Sequence, residues 1–169
     1  SNSGDIKGDN KQNELFINNG DLTFSENAKE YGLDDKGYST HAAFFDFDKD
    51  GDLDCYLLNN SYKGGFRITS IGKDQRPVRD QVGGDKFFLN ENGKFVDISE
   101  DAGIYGSVIG FGLGVTVGDA NNDGWMDIYV SNDFFERDYL YINNKNGGFD
   151  EVLEKQIRSV SAASMGADL

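Results

Sequence analysis

Two stretches of the chain carry one pattern of oxygen-bearing side chains. Asp46-Phe47-Asp48-Lys49-Asp50-Gly51-Asp52-Leu53-Asp54 places Asp at loop positions 1, 3, 5 and 9 and glycine at position 6. Asp119-Ala120-Asn121-Asn122-Asp123-Gly124-Trp125-Met126-Asp127 repeats it, with Asn121 in place of an acid at position 3. Alternate residues of a tight loop can aim inward, and a glycine tolerates the φ > 0 backbone that a sharp turn needs. A loop of this kind wraps a hard cation, and Ca²⁺ takes roughly six to eight oxygen ligands at about 2.3–2.6 Å. Position 7 ordinarily offers its backbone carbonyl, so Asp52 need not use its side chain. Without a cation, the five Asp within nine residues of the first stretch repel one another.

An EF-hand would need a bidentate Glu at position 12 and a helix on each side. Position 12 is Leu57 in the first stretch and Val130 in the second, and neither side chain can ligate. The flanks are short apolar, β-branched and aromatic runs: Cys55-Tyr56-Leu57-Leu58, Ile128-Tyr129-Val130, and the glycine-bearing Phe111-Gly112-Leu113-Gly114-Val115-Thr116-Val117-Gly118. They predict strand, cation loop, strand, and no helix.

A second unit alternates with these. Glu14–Asn18 and Leu22–Ser25 flank the turn Asn19-Gly20-Asp21 and predict a hairpin. Lys86–Asn90 with Lys94–Ile98, and Asp138–Asn143 with Phe149–Val152, predict two more, and Glu26–Tyr31 predicts one helical turn. Repeats of this size dictate architecture. The unit is four strands long, and four-stranded antiparallel sheets repeated along a chain are propeller blades. The expected fold is all-β, a partial β-propeller, with small residues Gly112, Gly114 and Gly118 where strands crowd the axis. Residues 1–33 are expected to be the second half of a preceding blade. Residues 34–101 form a complete blade with cation loop 46–54 and an insertion at 61–84. Residues 102–154 form another with loop 119–127, and 155–169 start a further one, Gly166 matching Gly114.

These residues resemble FG-GAP/VCBS repeats, the calcium-loop repeats of integrin-type β-propellers. Phe111-Gly112 before Asp119 matches the pair that names the repeat. Gly110-Phe111-Gly112-Leu113-Gly114-Val115, Asp127-Ile128-Tyr129-Val130-Ser131-Asn132-Asp133-Phe134 and Tyr139-Leu140-Tyr141 are closer still to the ASPIC/UnbV-type secreted proteins. The resemblance implies an exported, non-catalytic propeller in adhesion or recognition, with two Ca²⁺. Carried over by position, Asp46, Asp48, Asp50 and Asp54 are side-chain ligands with Asp52 by its carbonyl. In the second loop Asp119, Asn121, Asp123 and Asp127 serve, with Trp125 by its carbonyl. A closed ring of this type takes about seven blades, so the rest of the propeller is expected in the same or a neighbouring chain, against apolar faces at Leu15-Phe16-Ile17 and around Ala162-Ala163-Met165.

Composition narrows the function classes. A formal net charge of −14 stays acidic even with two Ca²⁺ bound and disfavours phosphate backbones, so no nucleic-acid partner is expected. No apolar run reaches the ~18–20 residues of a membrane span. The single Cys55 cannot form an internal disulfide and reads as a small buried hydrophobe in a strand. His41 is the single histidine and reads as a packed or lining residue; no Cys/His cluster offers a zinc site. Recognition could lie in the basic insertion (Lys63, Arg67, Lys73, Arg76, Arg79 against Asp74 and Asp80) or in Asp133-Phe134-Phe135-Glu136-Arg137-Asp138. The bland alternative for the insertion is a loop that contacts the neighbouring acidic blade, and for the phenylalanines a pair of tucked anchors. The expected function is a calcium-stiffened scaffold for extracellular protein or glycan recognition, secreted, periplasmic or on the outer cell surface. The alternative is an accessory carbohydrate-binding domain of a larger secreted polysaccharide-processing enzyme.

Overall fold

The computed structural model describes residues 12–60, 74–134 and 136–168. It is all-β, built from antiparallel four-stranded sheets that are blades of a partial propeller. A two-stranded hairpin comes first, β1 (Phe16–Asn18) and β2 (Phe24–Glu26), followed by the four-residue helix α1 (Ala28–Tyr31). The first blade orders β3 (Ser39–Phe45), β4 (Asp54–Asn59), β5 (Lys86–Asn90) and β6 (Phe95–Asp97) as neighbours. The second does the same with β7 (Gly112–Gly118), β8 (Asp127–Asn132), β9 (Tyr139–Asn143) and β10 (Phe149–Glu151), and α2 (Leu153–Gln156) follows. Local patterning explains this order. Each inner pair is an apolar, β-branched and aromatic run folded back over an Asp-rich loop, and each outer pair closes over an Asn/Gly turn.

Register decides which residues meet the neighbouring blade. Tyr56 pairs with Phe87 and Cys55 with Phe88, so alternate residues face opposite sides of the sheet. Phe45, Tyr56, Leu58 and Phe87 face the second blade and pack with its Val115, Ile128, Val130, Tyr139, Tyr141 and Phe149 in one core. Cys55, Leu57 and Phe88 face the other way, against Leu33, Leu15 and Phe95. Cys55 is 2% exposed and burial pushes its thiol up to about 12, so it behaves as a small apolar side chain. Gly112 is where the blades crowd: a Cβ there would lie 2.2 Å from Leu58 Cδ1. Ring contacts fill the rest, with Phe47 5.0 Å from both Phe87 and Phe149.

One expectation shifts. Leu22 leaves the predicted strand for the turn, with φ 70° and 97% of its surface exposed, so β2 begins at Phe24. His41 sits exposed on β3 and lines a cleft of about 520 Å³ with Asn13, Phe16, Phe44 and Cys55. Beyond α2 the chain lies along β7 without strand pairing among the described residues. Ser164 N–H donates to the Asn132 carbonyl (2.9 Å) and Thr116 Oγ1 to the Ala167 carbonyl (2.7 Å). No helix of the described residues is long and apolar enough to cross a membrane.

Candidate metal centre

Both Asp-rich stretches connect antiparallel neighbours, β3 to β4 and β7 to β8, at the same end of their blades. Their backbones share a signature. Positions 4 and 6 are left-handed in each: Lys49 (φ 65°) and Gly51 (φ 96°), Asn122 (φ 57°) and Gly124 (φ 86°). Glycine at position 6 carries this turn without strain. Position 4 gives a weaker sequence signal, since Asn tolerates such a φ but Lys does so at a cost.

In the first loop, one oxygen from each of Asp46, Asp48 and Asp50 lies within 4.8 Å of the others. Asp50 N–H donates to Asp48 Oδ1 (3.2 Å) and Asp52 N–H to Asp50 Oδ1 (3.0 Å), which turns these carboxylates toward the loop interior. Asp46 Oδ1 and Asp52 Oδ1 are shut off from solvent with no hydrogen-bond partner. Loss of hydration, then the charges of Asp50, Asp48 and Asp46, push the Asp52 carboxyl above its ordinary range. Oxygen-only donors, converging charges and two orphaned oxygens fit a hard divalent cation.

Asp54 does a different job. It is fully buried, Phe47 N–H donates to its Oδ2 and Asn90 N–H to its Oδ1, both at 2.9 Å. Burial pushes its carboxyl up, and those two N–H groups oppose the shift. Asp127 repeats this brace in the second loop, with Ala120 and Asn143 N–H at 2.9 Å each. A carboxylate has about four lone-pair sites, so a brace of two N–H groups leaves capacity for a ligand bond. Asn90 and Asn143, each the last residue of its strand, were not singled out from the sequence. The recurring Leu89-Asn90 and Ile142-Asn143 was the available signal. Asn143 Nδ2 also donates to the Phe47 carbonyl (3.0 Å), so a side chain of the second blade holds the first blade's loop.

The second loop satisfies itself. Asp119 accepts from Asp123 N–H (2.9 Å) and Gly124 N–H (2.7 Å). Asn121 Nδ2 donates to Asp123 Oδ2 (2.9 Å), and Trp125 N–H to Asp123 Oδ1 (2.9 Å). Lys145, from the β9–β10 turn, places Nζ 3.1 Å from Asp123 Oδ2. Desolvation raises the Asp123 carboxyl, but the bonds from Lys145, Trp125 and Asn121 outweigh it and hold the carboxyl below its ordinary range. Trp125 takes Lys49 Nζ 4.4 Å above its ring, a contact that joins the two loops.

At the opposite end of the blades, the described arginines of the insertion point inward. Arg76 grips the buried Glu136 (Nε to Oε1, 2.7 Å), and Arg79 donates to the carbonyls of Asp85 (2.8 Å) and Ile104 (2.7 Å). They are inter-blade ties, as the bland alternative holds; Lys63, Arg67 and Lys73 lie outside the described residues. Phe134 is 58% exposed with φ 63°, and its ring meets Phe111 edge-on at 4.8 Å; Phe135 lies outside the described residues. A buried triad recurs at this end. Asp85 accepts from Tyr56 OH and Asn59 N–H (2.9 Å each), as Asp138 does from Tyr129 OH and Asn132 N–H (2.8 Å each). Burial pushes the Asp85 carboxyl up to about 7.

The family model described as FG-GAP-like repeat matches residues 4–57 and 78–130, more than half of the chain. Each match runs through an outer hairpin into the inner strand pair of the following blade, with an Asp-rich loop near its end. No curated protein matches the chain.

Proposed function

Because the chain belongs to the FG-GAP-like repeat family, we propose that it is a calcium-binding, non-catalytic propeller module that displays loops for extracellular protein or glycan recognition. The observation that carries this reading is the convergence of Asp46, Asp48 and Asp50 around the orphaned oxygens of Asp46 and Asp52. Asp46, Asp48, Asp50 and Asp54 would hold the first ion by side chains and Asp52 by its carbonyl. Asp119, Asn121, Asp123, Asp127 and the Trp125 carbonyl would hold the second. Bound Ca²⁺ supplies charge neutralisation and a cross-link across the turn.

The chain's own residues do the rest. Asp54 and Asp127 fix the loops to the strands, and Arg76–Glu136 fixes the opposite end. A stiff blade pair then presents the connection after β8, where Phe134 is exposed. Sites of modest affinity fill where calcium is abundant, which favours secretion, the periplasm or the outer cell surface. The finer likeness to VCBS and ASPIC/UnbV-type repeats rests on Gly110–Val115 and Asp127–Phe134 and belongs to this proposal. FG-GAP-like repeats are generally non-catalytic, and catalysis has no part in the proposed role.

The test is thermal unfolding with calcium and with chelator. A ligand that binds the folded state must stabilise it, so the melting temperature should climb with calcium concentration. An unchanged melting temperature contradicts the metal reading. A glycan array and a pull-down from secreted protein then separate sugar from protein ligands; glycan binding would favour the accessory carbohydrate-binding alternative.

A further inference from the structure

Lys145 stands in the β9–β10 turn, two residues past Asn143, with φ 63°. The matched position in the first blade is two residues past Asn90, and there Asn92 has φ 56°. The match is fixed by the strands, because Asn90 and Asn143 donate the same backbone N–H to Asp54 and Asp127. Where the first blade has a neutral amide, the second has an ammonium 3.1 Å from the position-5 carboxylate of its own loop. The same Asp123 Oδ2 also takes the Asn121 amide. In the first loop the corresponding Asp50 takes the Asp52 N–H on Oδ1 and converges with Asp46 and Asp48.

We propose that Lys145 is a built-in counter-cation of the second loop, one that must leave Asp123 before a divalent ion can use that carboxylate, so that the loops fill in order. This rests on the calcium reading above. The first loop has five Asp, two orphaned oxygens and Asn92 at the position matched to Lys145, while Lys94 in the same turn donates to the Glu30 carbonyl instead, and it fills first. The second fills at higher calcium, when one ion of double charge replaces one of single charge. The exchange is reversible because the Lys145 side chain is 44% exposed and can swing into water on its flexible stem. Exposure also bounds its strength, since ion pairs this open are screened by salt. Trp125 donates its backbone N–H to the same Asp123 carboxylate, which sets the single tryptophan of the chain in the loop where its emission can follow the exchange.

The experiment is a calcium titration of the 169-residue chain, read by calorimetry and Trp125 emission, in the wild type and in Lys145→Asn. Asparagine is what the first blade carries at that place and it tolerates a positive φ, so the turn should be preserved. The wild type should show two separated steps, the weaker one alone persisting in an Asp48→Asn background. Lys145→Asn should tighten the weaker step by roughly twofold to fivefold and narrow the gap between the two. Asn92→Lys should weaken the tighter step. Two steps that Lys145→Asn leaves in place would overturn the proposal. A first-loop step alone in both proteins would overturn it while leaving the calcium reading standing at that loop. Calcium uptake in neither protein would overturn both.

Discussion

The first and second Asp-rich loops share a backbone and a brace but differ in what neutralises them. Both turn through left-handed residues at positions 4 and 6, and both hang from a buried ninth-position Asp on two backbone N–H groups. In the first, position 2 is Phe47, 2% exposed and stacked into the inter-blade core. In the second it is the exposed Ala120. The first is thus anchored from outside by packing and left with unpartnered carboxylate oxygens inside. The second is held from inside, by Asn121, Lys145 and its own N–H groups. One repeat therefore yields one loop whose converging charges have no internal counter-ion among the described residues and one that has partly quieted its charge with Lys145.

The largest effect should fall on what the loops share. Asp54→Ala and Asp127→Ala each strand two backbone donors, one of them buried, and should cost about 3–5 kcal/mol in denaturant unfolding. The cost should be larger in calcium than in chelator, because each change also removes a proposed ligand. A loop that tolerates the change would show the brace is not common to both. The next effect separates the buried aspartates at the far end. Asp138 accepts a third donor, Ser164 Oγ at 2.6 Å, whereas Asp85 is raised by burial from 3.8 to about 7. A raised folded value means the folded state holds the proton longer. Stability is then full below about pH 4 and lost as pH rises through about 7, by up to roughly 4 kcal/mol. Asp85→Asn should flatten that slope, measured as the unfolding free energy from pH 4 to 8; an unchanged slope would locate the titration elsewhere.

Charge removal inside the loops should give opposite signs. In chelator, Asp48→Asn takes one of three converging charges from the first loop and should raise the melting temperature by about 2–4 °C. In calcium the same change should lower it. Asp123→Asn breaks the Lys145 pair and should lower the melting temperature in chelator. Equal signs in chelator would break the comparison. The smallest effect is at the contact between the loops: Lys49→Met should cost about 0.5 kcal/mol and shift the Trp125 emission, with little change in calcium binding.

Legibility followed the range of the interaction. The loops, the hairpins and the four-stranded unit are local patterns, and β5 spans Lys86–Asn90 as the hairpin reading predicts. Leu22 misled because apolarity argues for a strand while the tight turn needed one more residue with φ > 0. The residues that tie elements together were not legible as such. Asn143 reaching Phe47, Tyr56 reaching Asp85, Arg76 reaching Glu136 and Lys145 reaching Asp123 pair groups distant in sequence. Only the blade register brings them within bonding distance.

The most direct measurement of the central claim is a crystal structure of this chain grown in calcium, refined with attention to the first loop. The account predicts one ion bound by oxygens of Asp46, Asp48 and Asp50 at about 2.3–2.6 Å, with the Asp52 carbonyl turned toward it. Three carboxylates splayed apart around ordered water, with no ion among them at millimolar calcium, would contradict it.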